Sequence, residues 1–566
     1  MRKSIRIIAL SVLTLILSSC IPNQNSQSSN SVDTDRGPAT EIKIYAGGSS
    51  EYSWRKESKE AEVYKAIEDK YYEDTGINLK FNVQFFGQTM KNAITTGITD
   101  GSIDVVISHL GGGDGIDDWI MQNGLYRNLI DDFDNYENIS EHMRWSDGDG
   151  LELNAISRVM TRRSEIIAIP SVINPYKFGI LVRKDWMEQL GFTDVPKAGY
   201  ELVDNFETFE RMAQEMKETF NLSHAISGAI YEIEKTGILG AYNVPAGYYT
   251  MSETKYGDLD IVDMGGLINP NYSHVLDTES RWIKNGILPY SPDTKKVDDH
   301  EADFFAARSG IFVENPNVTH LIEVARKTKQ LHPEAEFTVL EALTKDKDSV
   351  EKGFMRNSVA TFGAVITKNT PDANRVLGFL NWVYSSVENY NLCRYGVEGV
   401  HYFLEETIDQ TTGQPTYKYS YPDGFDYENK PYSGILTLVE NQNISDLQYA
   451  GFTPEEERWI NNAKKKENYL INDKVDYLLI NQNKTNLNLH FANRKDMYNT
   501  TQKIWSGSSA FIYDYEHAQG QDFNTDNIYN HHDRMGKVNN YLQGTSVYSR
   551  EMYELYTTLV NIAQYI

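Results

Sequence analysis

The chain has 566 residues, with 54 Lys and Arg against 80 Asp and Glu and a net charge of −26. So acidic a surface excludes nucleic acid and anionic polymers as bulk partners, although a few local cations can still hold an acidic ligand. Tyr is over-represented, at 37 residues, and supplies both a flat apolar face and a hydroxyl.

The first residues read as an export signal. Arg2, Lys3 and Arg6 make a positive start, and Ile7 to Leu17 is almost wholly apolar. That stretch is too short to span a bilayer and has the length of a secretory h-region. It ends Leu17-Ser18-Ser19-Cys20, which resembles a bacterial lipobox. The expectation is a signal peptide over 1–19, a lipid on Cys20 and a membrane anchor there. Residues 23–40 are rich in Asn, Ser, Gln and Asp and nearly lack apolar side chains, so 20–40 reads as a flexible tether. With Cys20 modified, Cys393 has no partner, which excludes a disulfide and any cysteine metal site. A buried small side chain is the expected role of Cys393.

The residues after the tether are too many for one core and call for at least two lobes. Glu41 to Tyr45 alternates as a strand and runs into Ala46-Gly47-Gly48-Ser49-Ser50. Val63, Ile67 and Tyr71 form a helical stripe within 59–74, and Gly76 stands where a C-cap would. Ile77 to Val83 alternates again, a helix follows over 88–98, and Ile103 to Ile107 is an apolar strand. It ends in the Gly-rich loop 108–115. In an open α/β sheet ligands bind beyond the carboxyl ends of strands, so the loops at 45–54 and 108–115 are candidate ligand loops. Ile166 to Pro170 and Phe178 to Val182 read as consecutive strands around Asn174-Pro175-Tyr176. Helical patterns at 183–190, 205–220, 276–285 and 371–390 complete an α/β plan. Beyond 405 the chain turns Tyr-, Asn- and Asp-rich, with helices expected near 454–484 and 548–564. Past the signal no run of 18 apolar residues occurs.

The order of these pieces resembles the family-1 extracellular solute-binding proteins of bacterial ABC importers. Lys70 to Leu79 resembles the family's helix–Thr-Gly-Ile–strand passage, and Asp100 to Ile107 its following strand, with Ile103 where Pro is usual. Gly179 to Gly191, Pro196 with Phe206 to Phe209, and Pro371 to Tyr384 resemble three later segments. Tyr395 to Tyr402 resembles the turn of the larger lipoprotein branch. The resemblance covers about 42–405. It implies two α/β lobes joined by hinge strands that close over a ligand, most often an oligosaccharide, and hand it to a separate permease. It places lobe 1 at 41–170 and 336–385, and lobe 2 at 171–335 and 386–566, the last part with a helical extension. A monomer is expected. Some relatives carry a calcium loop after the helix corresponding to 205–220. Here Asn221 to Gly228 lacks the hard oxygen ligands, so neither metal nor cofactor is expected.

Sugars are held by aromatic faces and by polar side chains on their hydroxyls. The expected ligand contacts are Tyr45 and Trp54 (with Tyr52) at the first loop, and His109 and Asp114 at the second. Asn174 and Tyr176 stand at the first crossover, Asn315 (with Asn317) after a later strand, and Phe362 at the return. Tyr395, Glu398 and His401 occupy the branch turn. Packing or capping is the competing role for each, and Glu398 with His401 suits shaping a turn better than acid/base work. Trp186, Trp282 and Trp382 lie on helical stripes and read as core; His531-His532-Asp533 reads as an exposed polar stretch. No Gly-x-Ser-x-Gly, His-Glu-x-x-His or phosphate-loop motif is present. A glycan-degrading enzyme with an unmarked carboxylate pair, or a peptide-binding lipoprotein, stands as the alternative. An all-helical glycan-capture lipoprotein conflicts with the early strand–helix alternation.

Overall fold

The computed structural model describes residues 36–47, 59–86, 91–109, 120, 123–132, 135–143, 159, 165–174, 176–243, 250–253, 259–263, 272–289, 297–355, 362–408, 415–427, 429–445 and 447–470. Cys20, Tyr52, Trp54, Asp114, the His531-His532-Asp533 stretch and the helix expected near 548–564 lie outside these residues, while the helix expected near 454–484 ends at Ala463 and gives way to a strand at Tyr469–Leu470. Among the described residues no helix is long and apolar enough to cross a membrane.

Strand β1 (Thr40–Gly47) buries Ile42, Ile44 and Ala46 and turns its alternate residues outward. Helix α1 (Glu60–Thr75) buries Val63, Ile67 and Tyr71, a spacing of four that keeps them on one face. It ends at Gly76, left-handed at φ 72°, whose N–H donates to the Tyr72 carbonyl at 2.8 Å. β2 (Leu79–Phe86), α2 (Lys91–Thr99) and β3 (Val105–His109) follow, and β1 lies between β2 and β3, parallel to both. The chain passes β4 (Ile169–Pro170) and crosses to a second sheet. That half comprises β5 (Ile180–Arg183), α3 (Phe206–Thr219), β6 (Ile226–Ser227), β7 (Ile311–Phe312), α4 (Val318–Leu331) and β8 (Phe337–Leu340). The return brings β9 (Phe362–Ile366), α5 (Ala373–Val383) and α6 (Val387–Tyr395). β10 (Phe403–Ile408), β11 (Pro415–Ser420) and β12 (Gln448–Tyr449) make a small third sheet. Helix α7 (Pro454–Ala463) carries Pro at its start and a Thr453/Glu456 capping box.

The first sheet has the order β2-β1-β3-β9-β4 and the second β8-β5-β7-β6. In the second, the side chains of β5 and β8 divide between two cores. Ile180, Val182 and Leu340 join one, and Leu181, Phe337 and Val339 the other. A sheet covered on both faces needs a continuous apolar run, as Ile180-Leu-Val shows. Asp104 locks the start of β3. Its buried carboxylate accepts the Lys43 backbone N–H at 2.9 Å and stands 3.0 Å from the Arg375 guanidinium of α5.

The lobes divide differently from the expected boundaries. β8, expected in lobe 1, pairs antiparallel with β5 from Phe337↔Arg183 to Leu340↔Ile180, so the return begins at β9. α6 and the segment around Leu436, expected in lobe 2, pack into the first core through Tyr390, Cys393, Leu436 and Val439. The helix expected over 371–390 is two helices, because the Ser386 hydroxyl accepts the Asn389 N–H and starts α6 afresh. Trp282 and Trp382 are buried, while Trp186 is half-buried and stacks on Phe220 at 4.5 Å.

Two glycines make opposite predictions. A Cβ on Gly240 would stand 2.0 Å from the Gly353 carbonyl oxygen, and backbone cannot easily give way. Gly378, inside α5, has nothing nearer than the Tyr71 hydroxyl at 3.8 Å. Gly240→Ala should lower the thermal midpoint, whereas Gly378→Ala should hold or raise stability by up to about 1 kcal/mol. Equal effects in thermal denaturation would contradict this packing.

Candidate functional site

Where the two halves meet, the chain runs beside itself. After β4, the Val172 N–H donates to the Glu440 carbonyl at 2.8 Å, and the Gln442 N–H donates back to Val172 at 3.1 Å. The Asn174 N–H donates to Gln442 Oε1 at 2.6 Å, and the Asn174 side-chain oxygen accepts the Tyr176 N–H at 2.8 Å. These crossing segments floor a cavity of about 320 Å³. Tyr390 and Tyr432 reach it from the first core and Tyr176 from the second.

The third sheet supplies an aromatic wall. Tyr395 and Tyr419 have ring centres 4.8 Å apart, Tyr419 and Tyr421 5.3 Å, and Tyr419 and Tyr449 5.5 Å. Tyr427 continues the row towards Phe452 at 5.5 Å. Tyr419 and Tyr449 are buried, while Tyr395, Tyr421 and Tyr427 keep part of their surface bare. Burial raises the hydroxyl pKa values of Tyr395, Tyr419, Tyr421 and Tyr427, so they stay neutral hydrogen-bonding groups at ordinary pH.

Charged groups line the same cavity. Arg394, in the last turn of α6, hydrogen-bonds Glu440. Their side chains keep 26% and 39% of their surface bare although both sit deep, because they face the cavity. Arg394 holds the Glu440 carboxyl below the usual carboxylate range against the opposing effect of burial. Burial works against the Arg394 charge, but Glu440 and neighbouring tyrosines outweigh it and keep the guanidinium protonated. Lys430 stands 4.9 Å from the centre of the Tyr427 ring. Burial, followed by repulsion from Arg394, pushes its ammonium down to about 8, with Glu440 and Glu323 opposing. Burial also lowers Lys177.

Of the expected contacts, Asn174, Tyr176 and Tyr395 line this cavity. Asn315 does not: it is exposed in a left-handed turn at φ 46°, and its neighbour Asn317 lines the cavity while capping α4 through Thr319. Tyr45 packs on the first core, and Phe362 begins β9 opposite the backbone of His109; neither Tyr45 nor Phe362 lines the cavity. Glu398 is exposed on the branch turn. His401 is buried and accepts the Val397 N–H at 3.2 Å, so it braces that turn, and burial lowers its pKa. The tyrosines of 419–449, together with Lys177, Arg394, Lys430 and Glu440, are not among the expected contacts. The Tyr excess beyond 405 was their one signal in the sequence. Among the described residues no group of three or more His, Cys, Asp or Glu is placed to hold a metal ion.

No family model matches the chain, and no curated protein matches it in sequence. Solved structures match its fold. An extracellular solute-binding protein from Bifidobacterium longum subsp. infantis is similar at a TM-score of 0.59 and 14% identity, over 93% of this chain and 98% of that one. An HMO-binding, ABC-transporter-associated solute-binding protein from Bifidobacterium longum infantis gives 0.57 at 13%, over 93% and 99%. An N-glycan transport solute-binding protein from Streptococcus pneumoniae gives 0.53 at 15%, over 89% and 100%. The architecture is therefore that of the two-lobed solute-binding fold.

Lys430 supplies a pH test. An unfolded lysine titrates near 10.4, and this one near 8 when folded. Below pH 8 the folded state bears the full cost of the buried charge. Between the two values only the unfolded chain holds the proton, so stability rises with pH. The thermal midpoint of the parent minus that of Lys430→Met should climb from pH 7 to pH 10. A flat difference would show that the ammonium is not buried as described.

Proposed function

We propose that the chain is the solute-capturing lipoprotein of an ABC importer, taking an oligosaccharide into the cavity between its lobes. The observation that carries this reading is the cavity itself. Tyrosines from both cores and from the third sheet converge there with Asn174, Asn317 and Gln442. Tyr faces suit the C–H faces of pyranose rings, and amides suit their hydroxyls. The likeness to oligosaccharide-binding members of the fold supports it. Capture without turnover is the natural chemistry. Among the described lining residues Glu440 is the one carboxylate, and it is engaged by Arg394, whereas glycoside hydrolysis calls for two. Closure of the lobes over the sugar would present the form that permease subunits bind. Cys20 would carry the lipid and residues 20–40 the reach, which places the body on the outer face of the cell membrane.

Two measurements test this. A thermal-shift screen should find an oligosaccharide that raises the midpoint, since binding only the folded state stabilises it by mass action. Tyr421→Ala, removing one face of the wall, should cost about 1–3 kcal/mol of that affinity. Shifts with peptides and none with glycans, or turnover of any glycan, would overturn the assignment. For the anchor, Cys20→Ser should move the protein from the membrane fraction to the medium; unchanged membrane retention would reject lipidation at that residue.

A further inference from the structure

The charges lining the cavity do not balance. Lys177, Arg394 and Lys430 line it with one carboxylate, Glu440, in a chain whose overall charge is −26. Elsewhere deep or half-buried cations are matched closely. Arg326 makes two 2.7 Å hydrogen bonds to Glu456, Arg458 reaches Asp194 at 2.8 Å, and Arg183 reaches Asp185 at 2.6 Å. Within the cavity Arg394 takes Glu440. Among the described residues the ammonium groups of Lys177 and Lys430 have neither a hydrogen-bond nor an ion-pair partner, and that of Lys430 stands over the Tyr427 face. Glu440 and Glu323 act on Lys430 electrostatically, and Glu440 on Lys177, without pairing with either. With 80 acidic residues available, two ammonium groups lining a cavity lack a carboxylate of their own. An uncompensated charge in such a place is costly, and the cost is relieved if the ligand brings the counter-charge.

We propose that the oligosaccharide taken by this cavity carries a carboxylate, as a uronic or sialic acid residue does, and that Lys430 and Lys177 receive it while the tyrosine wall receives the rings. This rests on the capture of an oligosaccharide proposed above and adds the chemical class of the sugar. The arrangement separates the tasks. Rings stack on neutral tyrosines, hydroxyls meet Asn174, Asn317 and Gln442, and the acid meets the two free ammonium groups. Glu440, held by Arg394, repels a misplaced carboxylate and so gives the acidic sugar one direction. The acidic exterior slows entry of an anion, and the cations of the lining retain it once inside.

Matched pairs test this by calorimetry on the full chain: trigalacturonate against its methyl ester, and 3′-sialyllactose against lactose and against sulfated lactose. Within at least one pair the carboxylate should bind about tenfold tighter than its neutral partner, and the gap should narrow with added NaCl. Lys430→Met, shown folded by its circular dichroism, should remove most of the gap, and Lys177→Met part of it. Neutral sugars binding as tightly as acids would overturn this inference and leave oligosaccharide capture standing. Preference for sulfated lactose over sialyllactose would overturn the carboxylate assignment. An acid preference unchanged in both lysine variants would show that the charge is read elsewhere. Silence towards every saccharide would overturn capture of a sugar as well.

Discussion

The ion pair between Arg394 and Glu440 is the contact around which the junction is arranged. It joins the last turn of α6 to a segment that runs beside the crossing strand, through Val172 and the Glu440 carbonyl. The next residue repeats the link, since the Asn441 N–H donates to the Tyr390 hydroxyl at 2.8 Å. Burying two charges costs several kcal/mol each, and removing one leaves the other uncompensated. The pair is thus a poor source of net stability and a strong determinant of position. If residues 430–445 moved, the cavity would lose Lys430, Tyr432, Glu440 and Gln442 together.

The tyrosine sheet solves a different problem. β10 exposes much of its length, and β12 is two residues long, so the sheet needs large side chains for its core. Tyr402, Tyr419 and Tyr449 supply that core, with Tyr395 and Tyr421 packed against it. The same rings therefore support the sheet and form the cavity wall. A leucine in their place would pack as well but would offer no hydroxyl and no flat face to solvent. The Tyr excess is a consequence of asking one layer to do both.

What was legible in the sequence follows from periodicity. β1, α1 and α3 are readable because Ile42 and Ile44, Val63 and Ile67, and Phe209 and Met212 each repeat with the period of their element, and β3 because Val105 to Ile107 is a continuous apolar run. Lobe membership was not, because Phe337–Leu340 is an equally apolar run in either sheet, and only its pairing with β5 decides. The cavity was legible in part. Asn174, Tyr176 and Tyr395 stand at crossovers or turns that the chain order marks, but residues 419–449 contribute from strand ends and loops without a period. Asn315 and Asn317 are alike in type; a left-handed turn exposes the first and a helix cap turns the second to the cavity.

The division of the cores also governs when the molecule can be completed. Ile42 and Val439 belong to one core, and Tyr176 and Tyr469 to another. Neither core is a continuous piece of chain, so the strands of each wait for residues made much later. Contacts of such sequence separation form slowly, and a partly synthesised chain has no finished lobe to close upon. A polypeptide built this way stays open until those later segments emerge.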